Sequence, residues 1–338
     1  VDVPPELAAP AWILVECANG IELAARGREL KIPPASLTKL LTCYLALEAA
    51  ARGELSLDDM VTIDERDDYT SLPVDSTRMG LVAGAKVRIR DLISGACVAS
   101  GNDAARALAR SVSGDLETFV ESMNARASEL GMTASRFLEP SGLTSLNTSC
   151  AGDMALLSFA YVRDFPSLLD EFNGRATIKE PDASGAPSSR TISNLNPLVF
   201  DYPGCDGLKT GYIHQSGSHI IATAERDGTR FVAVVMGRTT GPSVADQARA
   251  LLDFAFATYV TAEFSIEVPA WPLGSTSNSL RFAVEDGVRL AKVALTTRRV
   301  DIGKVRLRWE TTATSEPVVV ATLEGKVLAR IPCRIGDP

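Results

Sequence analysis

The chain is poor in histidine, in long apolar runs and in clustered basic residues. Its 338 residues include two histidines, His214 and His219. That count excludes an imidazole-rich metal centre and leaves a Ser–His–Asp triad almost no material. On a strand, their five-residue spacing is expected to put them on opposite faces. No Cys-x-x-Cys pair occurs among Cys17, Cys43, Cys97, Cys150, Cys205 and Cys333, so the usual structural-zinc spacing is missing. No metal and no cofactor is expected. The sequence does not choose a pairing of the six thiols, and Cys97 reads as a small buried hydrophobe on a helix. No run approaches the roughly 20 apolar residues of a membrane span. The net charge is −8 without a basic tract, which argues against nucleic-acid binding.

What is present is an ordinary globular composition, 46% hydrophobic and 22% charged, in a chain long enough for two domains. The charge is uneven, +2 from Glu263 onward and −10 before it. A division into residues 1–262 and 263–338 is expected. The weakly positive second part would sit comfortably near anionic envelope surfaces.

Three short motifs carry chemistry. The first is Ser36-Leu37-Thr38-Lys39, in which a serine and a lysine three apart share one helix face. Trp12–Cys17 reads as a strand, Ala18-Asn19-Gly20 as a turn and Ile21–Ala25 as the return strand. Pro33-Pro34-Ala35 then delays the helix until Ser36, after which Leu40, Leu41, Tyr44, Leu45 and Leu47 recur at helical spacing. Ser36 is therefore expected at a helix N-terminus, where free N–H groups favour negative charge. Taken alone, it would be a plain helix cap. The second motif, Ser100-Gly101-Asn102, is expected in a loop between two helices. Alone it would be a turn, with Asn102 or Asp103 capping the next helix. The third, Lys209-Thr210-Gly211, is expected on a strand, with His219–Ala224 and Thr229–Met236 forming a hairpin through Asp227-Gly228. Its glycine is expected to admit a substrate backbone. Alone, Lys209 would mark a charged edge strand. In this order the three match the signature set of penicillin-binding proteins and class A β-lactamases, with Gly101 where that set has Asp.

With Ser76-Thr-Arg-Met79, Asp103-Ala104, Met123-Asn124, Leu130-Gly-Met132, Pro140-Ser-Gly-Leu143 and Asp153-Met-Ala155, the chain resembles the serine D-alanyl-D-alanine carboxypeptidases, the low-molecular-mass penicillin-binding proteins. The likeness runs from about Trp12 to about Phe256, and the tail resembles the small β-rich domain that follows in many members. The resemblance implies that Ser36 attacks the carbonyl between two terminal D-alanines of a peptidoglycan stem peptide. Lys39 would take its proton, made neutral by burial and by Lys209. Ser100 would pass a proton to the leaving D-alanine, and Asn102 would hold the substrate amide and orient Lys39. The N–H groups of Ser36 and Tyr212 would form the oxyanion hole beside Gly211. Thr210 and Arg238 would bind the terminal carboxylate. β-Lactam antibiotics would acylate the same serine and stall. The resemblance also implies export, to the periplasm or the outer face of the cytoplasmic membrane. A chain lacking an initiating Met is then expected to be processed or trimmed. Relatives often end in an amphipathic anchor, so either that segment is cut off here, and membrane association would run through a C-terminal segment absent from this chain, or this member is soluble.

Some residues depart from the family pattern. Ile213 stands where threonine is usual, Asn147 or Thr148 where a histidine is often found, and Gly152 where arginine or tyrosine precedes the aspartate. A class A β-lactamase would need a Glu-x-x-Leu-Asn segment. Glu139 is followed by Leu143 where that segment needs Asn, so Glu139 is expected to be a loop residue. A D,D-endopeptidase shares all three motifs, and a non-catalytic peptidoglycan-binding protein would keep the fold without needing them intact.

The expected fold class is α/β with two domains. An antiparallel sheet flanked by helices, of β-lactamase/transpeptidase type by the resemblance, carries a helical insert from about Thr62 to about Phe165. Within the insert, Leu116–Leu130 and Asp153–Tyr161 read as helices. Thr191–Phe200 should cross near the active site, and Gln247–Thr258 should close the domain. Beyond it, Ser279–Val284, Val288–Leu295, Gly303–Trp309, Val318–Leu323 and Lys326–Ile331 give an all-β pattern, with Pro269, Pro272 and Gly274–Ser277 in a loop.

Overall fold

The structure, a computed structural model, describes residues 3–267, 273–275, 280–285, 288–312 and 315–335. A run of alternating side chains starts it. In Ala11–Glu16 (β1) every residue is buried, with Ala11, Ile13 and Val15 in one core and Trp12 and Leu14 in another. A strand buried on both faces needs layers above and below. Glu22–Arg26 (β2), Cys205–Ile213 (β3), Gly217–Arg226 (β4) and Thr229–Met236 (β5) complete a sheet in the order β2-β1-β5-β4-β3. All of its neighbours are antiparallel.

One face is covered by Thr38–Ala51 (α1), together with Ile89–Cys97 (α2), Asn102–Ser113 (α3), Leu116–Glu129 (α4) and Ala151–Asp164 (α5). Eleven of the fourteen α1 residues are buried, so it runs through the core rather than over it. Asp115 caps α4 by accepting from the Thr118 N–H at 2.8 Å, and Gly131 follows the helix with a left-handed φ of 79°. The other face carries Val244–Thr258 (α6), which begins three residues before the expected Gln247 because Ser243 and Asp246 form a reciprocal capping box. Two short ribbons, Met60–Thr62 with Lys86–Arg88 and Thr177–Pro181 with Pro187–Ser193, flank the helical layer.

The tail is all-β as expected. Tyr259–Glu267, Val288–Arg298 and Leu280–Glu285 form one sheet, and Leu273–Ser275, Lys326–Ile335, Ser315–Leu323 and Val305–Thr312 another. Gly274 and Ser275, expected in a loop, pair with Arg334 and Cys333 instead. Pro269, Pro272, Thr276, Ser277 and Ser279 lie outside the described residues. Val293, Leu295, Val305, Val319, Ala321 and Ile331 make its core. It touches the main sheet at the β1–β2 turn. There the buried Glu16 carboxylate accepts from the Ala18 and Asn19 N–H groups at 2.8 and 3.0 Å and from Thr296 Oγ1 at 2.8 Å. Burial pushes the Glu16 carboxyl up from its ordinary value, against these hydrogen bonds. Strand register puts Glu16, Phe231, Ala224 and Cys205 at this end of the sheet and Ala11, Met236, His219 and Gly211 at the other. The third motif belongs to the second end, about five residues or ~17 Å away.

Candidate active site

Ser36 sits one step earlier than its helix. Ala35–Leu37 is a single 3-10 turn and α1 begins at Thr38, with no side-chain cap on either element. Ser36 is thus not a capping serine. Ala35 has a left-handed φ of 50°, unusual for a residue with a Cβ. The turn is pressed from two sides. A Cβ on Gly142 would fall 1.7 Å from the Ala35 carbonyl oxygen, and Gly142 itself has φ 78°. A Cβ on Gly211 would fall 3.1 Å from both the Pro34 carbonyl oxygen and the Ser36 nitrogen. Gly211 therefore admits the chain's own backbone at residues 34–37. The expected approach of a substrate is not what this contact requires.

Beneath Ser36 lies Lys39, 0% exposed. Its Nζ donates to Ser36 Oγ at 2.9 Å, to Asn102 Oδ1 at 2.6 Å and to the Ser141 carbonyl at 2.6 Å. Three acceptors match the three donors of an ammonium. Burial, and next the Lys209 cation, pull its pKa down to about 7. Lys209, 2% exposed on β3, is held by burial at about 8, and its Nζ donates to the Thr210 carbonyl at 2.9 Å. A surface edge-strand lysine would be exposed, so that simpler reading of Lys209 fails.

The second motif differs from a plain loop. α2 ends at Cys97 and α3 starts at Asn102 itself, so Asn102 is a helical residue and neither it nor Asp103 is the cap. Ser100 is buried with a left-handed φ of 54°. Its carbonyl accepts from Thr77 Oγ1 at 2.7 Å, while the Asn102 N–H donates to the Thr77 carbonyl at 3.1 Å. Asp103 accepts from the N–H groups of Met79, Gly80 and Leu81 at 2.8 to 3.0 Å. The segment around Thr77 is thereby clamped to the second motif.

Ser36, Ser100, Asn102, Thr210, Gly211 and Tyr212 border one cavity of about 790 Å³. Lys39 and Lys209 lie under its floor. Leu195 and Pro197 also border it, as the expected crossing segment should. Tyr212 is 64% exposed at the rim. Arg238 stands apart from the lining and donates to the His214 carbonyl. His214 and His219 both border the cavity, against the expectation of opposite faces, because β3 ends at Ile213 and the chain turns before β4. His219 Nδ1 accepts from the Gly237 N–H at 3.0 Å and its Nε2 pairs with Ser216 Oγ at 2.9 Å. Burial lowers its pKa to about 4, so the ring is neutral near pH 7. Ile213 lies on the cavity wall, so that departure from the family pattern is exposed to a ligand.

Glu139, Ser141 and Thr77 are further site residues that the sequence does not mark as such, although the segments that hold them belong to the family resemblance. The Glu139 carboxylate accepts from the N–H groups of Ser141, Gly142 and Leu143 at 2.8, 2.6 and 2.9 Å, from Ser141 Oγ, and from Asn147 Nδ2 at 3.1 Å. It is a loop residue, as expected, and it shapes the loop that offers a carbonyl to Lys39. Cys97 is more than a small hydrophobe. Its Sγ lies 3.6 Å from Cys43 Sγ and accepts from Asn173 Nδ2 at 3.3 Å, and Asn173 also donates to the Leu208 carbonyl beside Lys209. Cys17, Cys43, Cys97, Cys150 and Cys205 are free thiols. No cluster of three or more His, Cys, Asp or Glu able to hold a metal ion occurs among the described residues.

Residues 1–240 match the family model described as D-alanyl-D-alanine carboxypeptidase. The D-alanyl-D-alanine carboxypeptidase DacF of Bacillus subtilis is 29% identical over 324 residues, covering 94% of this chain and 73% of that protein. DacC of Escherichia coli is 35% identical over 265 residues, 76% of this chain and 63% of its own length. The chain thus spans 73% of the first relative's length and less than two thirds of the second's. The crystal structure of penicillin binding protein 5 from Haemophilus influenzae superposes with a TM-score of 0.82 at 27% identity, covering 99% of this chain and 98% of that one. Penicillin-binding protein D2 of Listeria monocytogenes in its ampicillin-bound form matches with a TM-score of 0.63 at 29% identity, over 74% of this chain and 98% of that one.

Proposed function

The chain belongs to the D-alanyl-D-alanine carboxypeptidase family, and from that membership we propose that it removes the terminal D-alanine of peptidoglycan stem pentapeptides through an acyl-enzyme on Ser36. The activity is that of a serine-type carboxypeptidase. The observation that carries the reading is the 2.9 Å contact between Lys39 Nζ and Ser36 Oγ, made by an amine buried deeply enough to be half neutral near pH 7.

Neutral Lys39 takes the Ser36 proton as Oγ attacks the carbonyl between the two D-alanines. The N–H groups of Ser36 and Tyr212 receive the oxyanion; losing one such donor typically lowers the rate by about 10²–10³. Ser100 passes a proton to the leaving D-alanine nitrogen. Asn102 keeps Lys39 in place through Oδ1 and offers its amide N–H to the substrate peptide. Lys209 keeps a positive charge below the site, which holds Lys39 neutral. Thr210 receives the terminal carboxylate, with Arg238 acting through the His214 turn or on the carboxylate itself. Water then releases the acyl group. β-Lactams acylate Ser36 by the same steps.

Residues 263–338 supply none of these groups, consistent with their attachment at the far end of the sheet, and the peptidase unit is residues 1–262, whose last four residues already run in the tail's first strand, Tyr259–Glu267. The substrate lies outside the cytoplasm, so the working place is the periplasm or the outer face of the cytoplasmic membrane. No helix among the described residues is long and apolar enough to cross a membrane. The test is to offer diacetyl-L-Lys-D-Ala-D-Ala beside a crosslinked stem-peptide dimer. D-Alanine release with the dimer intact is expected. Cleavage of the dimer without D-alanine release would replace this reading with a D,D-endopeptidase.

A further inference from the structure

Lys209 is a buried cation without a carboxylate beside it. It is 2% exposed, its Nζ donates to the Thr210 carbonyl at 2.9 Å, and no aspartate or glutamate pairs with it among the described residues. An ammonium taken out of water needs a compensating anion. The acidic side chains whose charge reaches it are two thiols, Cys97 and Cys43. Cys43 lies one turn beyond Lys39 on α1, and Cys97 ends α2 three residues before Ser100. Both are buried, and their sulfurs are 3.6 Å apart, within reach of a shared proton.

The surroundings decide where that proton stays. Asn173 Nδ2 donates to Cys97 Sγ at 3.3 Å and to the Leu208 carbonyl at 3.2 Å, and Asn173 Oδ1 accepts from the Tyr161 hydroxyl at 3.1 Å. The carbonyl and the hydroxyl fix the amide, so the end that faces Cys97 can only donate. Cys97 is thus the acceptor of the pair, and hydrogen bonds to a sulfur favour its charged form. The Cys43 contact holds the Cys97 thiol below its ordinary value against burial, while the same contact and burial push Cys43 well up. The other titratable groups around the two sulfurs are Lys39 on α1, Lys209 on β3 and Tyr161 on α5, and burial keeps Tyr161 protonated. We propose that Cys97 is a positioning residue for Lys209: its sulfur, with the shared proton left on Cys43, is the anion that keeps the Lys209 ammonium charged beneath the cavity. Asn173 ties the two together, since one nitrogen bonds both Cys97 and the residue before Lys209. The proposal rests on the carboxypeptidase reading above, in which Lys209 works as a cation.

The experiment follows penicillin acylation against pH in the whole chain and in Cys97→Ser, whose hydroxyl keeps the hydrogen bonds but stays neutral. Loss of the anion should move the falling limb to lower pH by about one unit, roughly a tenfold loss of acylation on that limb. Cys17→Ser, beside Arg230 at the far end of the sheet, should leave the limb in place. Thiolate absorbance in the ultraviolet is the second readout, and on the unsubstituted chain it does not depend on a variant folding. The native chain should show about one ionised thiol near pH 7, where the thiols of the unfolded chain, of ordinary value about 8.5, are mostly protonated. Cys97→Ser should remove that signal. A falling limb that stays in place in folded Cys97→Ser, a uniform drop without a shift, an equal shift in Cys17→Ser, or a native chain with no thiolate absorbance near pH 7 would each overturn the proposal. Absence of acylation at every pH in the unsubstituted chain would sink the carboxypeptidase reading instead, and the absorbance would still report on Cys97.

Discussion

Glu139 and Lys39 are joined through a single residue. The Glu139 carboxylate accepts the Ser141 N–H at 2.8 Å, and the Ser141 carbonyl accepts Lys39 Nζ at 2.6 Å. A carboxylate already holding three backbone N–H groups has its lone pairs occupied by its own loop and does not face a hydrolytic water. Its charge also acts at a distance, holding the Lys39 pKa up against burial and Lys209.

Glu139→Gln separates these two roles. The acylation rate should fall, and its rising pH limb should move to lower pH because a negative charge near Lys39 is gone. The lifetime of the penicillin adduct should stay within about twofold of the unsubstituted protein, since removing a true deacylating base lowers that step by about 10²–10⁴. Stopped-flow acylation and intact-mass decay read the two separately. A greatly prolonged adduct would assign Glu139 the deacylating role that a β-lactamase requires.

The two buried lysines set the pH profile. Lys39 must be neutral, so acylation should rise with pH through about 7. Lys209 must be charged, so it should fall again above about 8. The resulting bell is narrow, and because the two cations interact, its limbs belong to the pair. Lys39→Ala should remove the rising limb and lower penicillin acylation by about 10²–10⁴ with the far-UV circular dichroism unchanged. Near-normal labelling of that variant would exclude Lys39 as the base.

Gly142→Ala tests the support of the nucleophile's turn. The new Cβ meets the Ala35 carbonyl, and alanine disfavours φ 78°. A loss of at least ~1 kcal/mol in urea unfolding is expected, with slowed acylation, because Ala35 must shift and Ser36 with it. Gly53→Ala, at φ 72° in open space, supplies the control for conformational strain alone. Similar acylation in both variants would mean that the contact with Ala35 does not position Ser36.

Much of this was legible in the residues. The apolar run Trp12–Cys17, the Asn-Gly turn and the apolar spacing after Leu37 encode local structure, and the strand and turn lie where they point, with the helix two residues later than Ser36. The three motifs announce the site because Ser36 and Lys39 are neighbours on one turn. What stayed hidden depends on contacts between distant positions. The Ser141 carbonyl meets Lys39 across 102 residues of sequence, and Gly211 proved small for the sake of the backbone at Ser36. No periodicity reports either. The start of α6 was missed for a local reason, since Ser243 and Asp246 are ordinary loop residues until they bond each other's backbone.

The central claim is that Ser36 is the nucleophile of a D,D-carboxypeptidase. Incubation with penicillin followed by intact mass, run beside D-alanine release from diacetyl-L-Lys-D-Ala-D-Ala, tests it most directly. One adduct per chain, absent in Ser36→Ala, together with D-alanine release that the same substitution abolishes, is the expected result. A folded protein giving neither adduct nor D-alanine would contradict it and leave a peptidoglycan-binding protein that keeps the fold without the reaction.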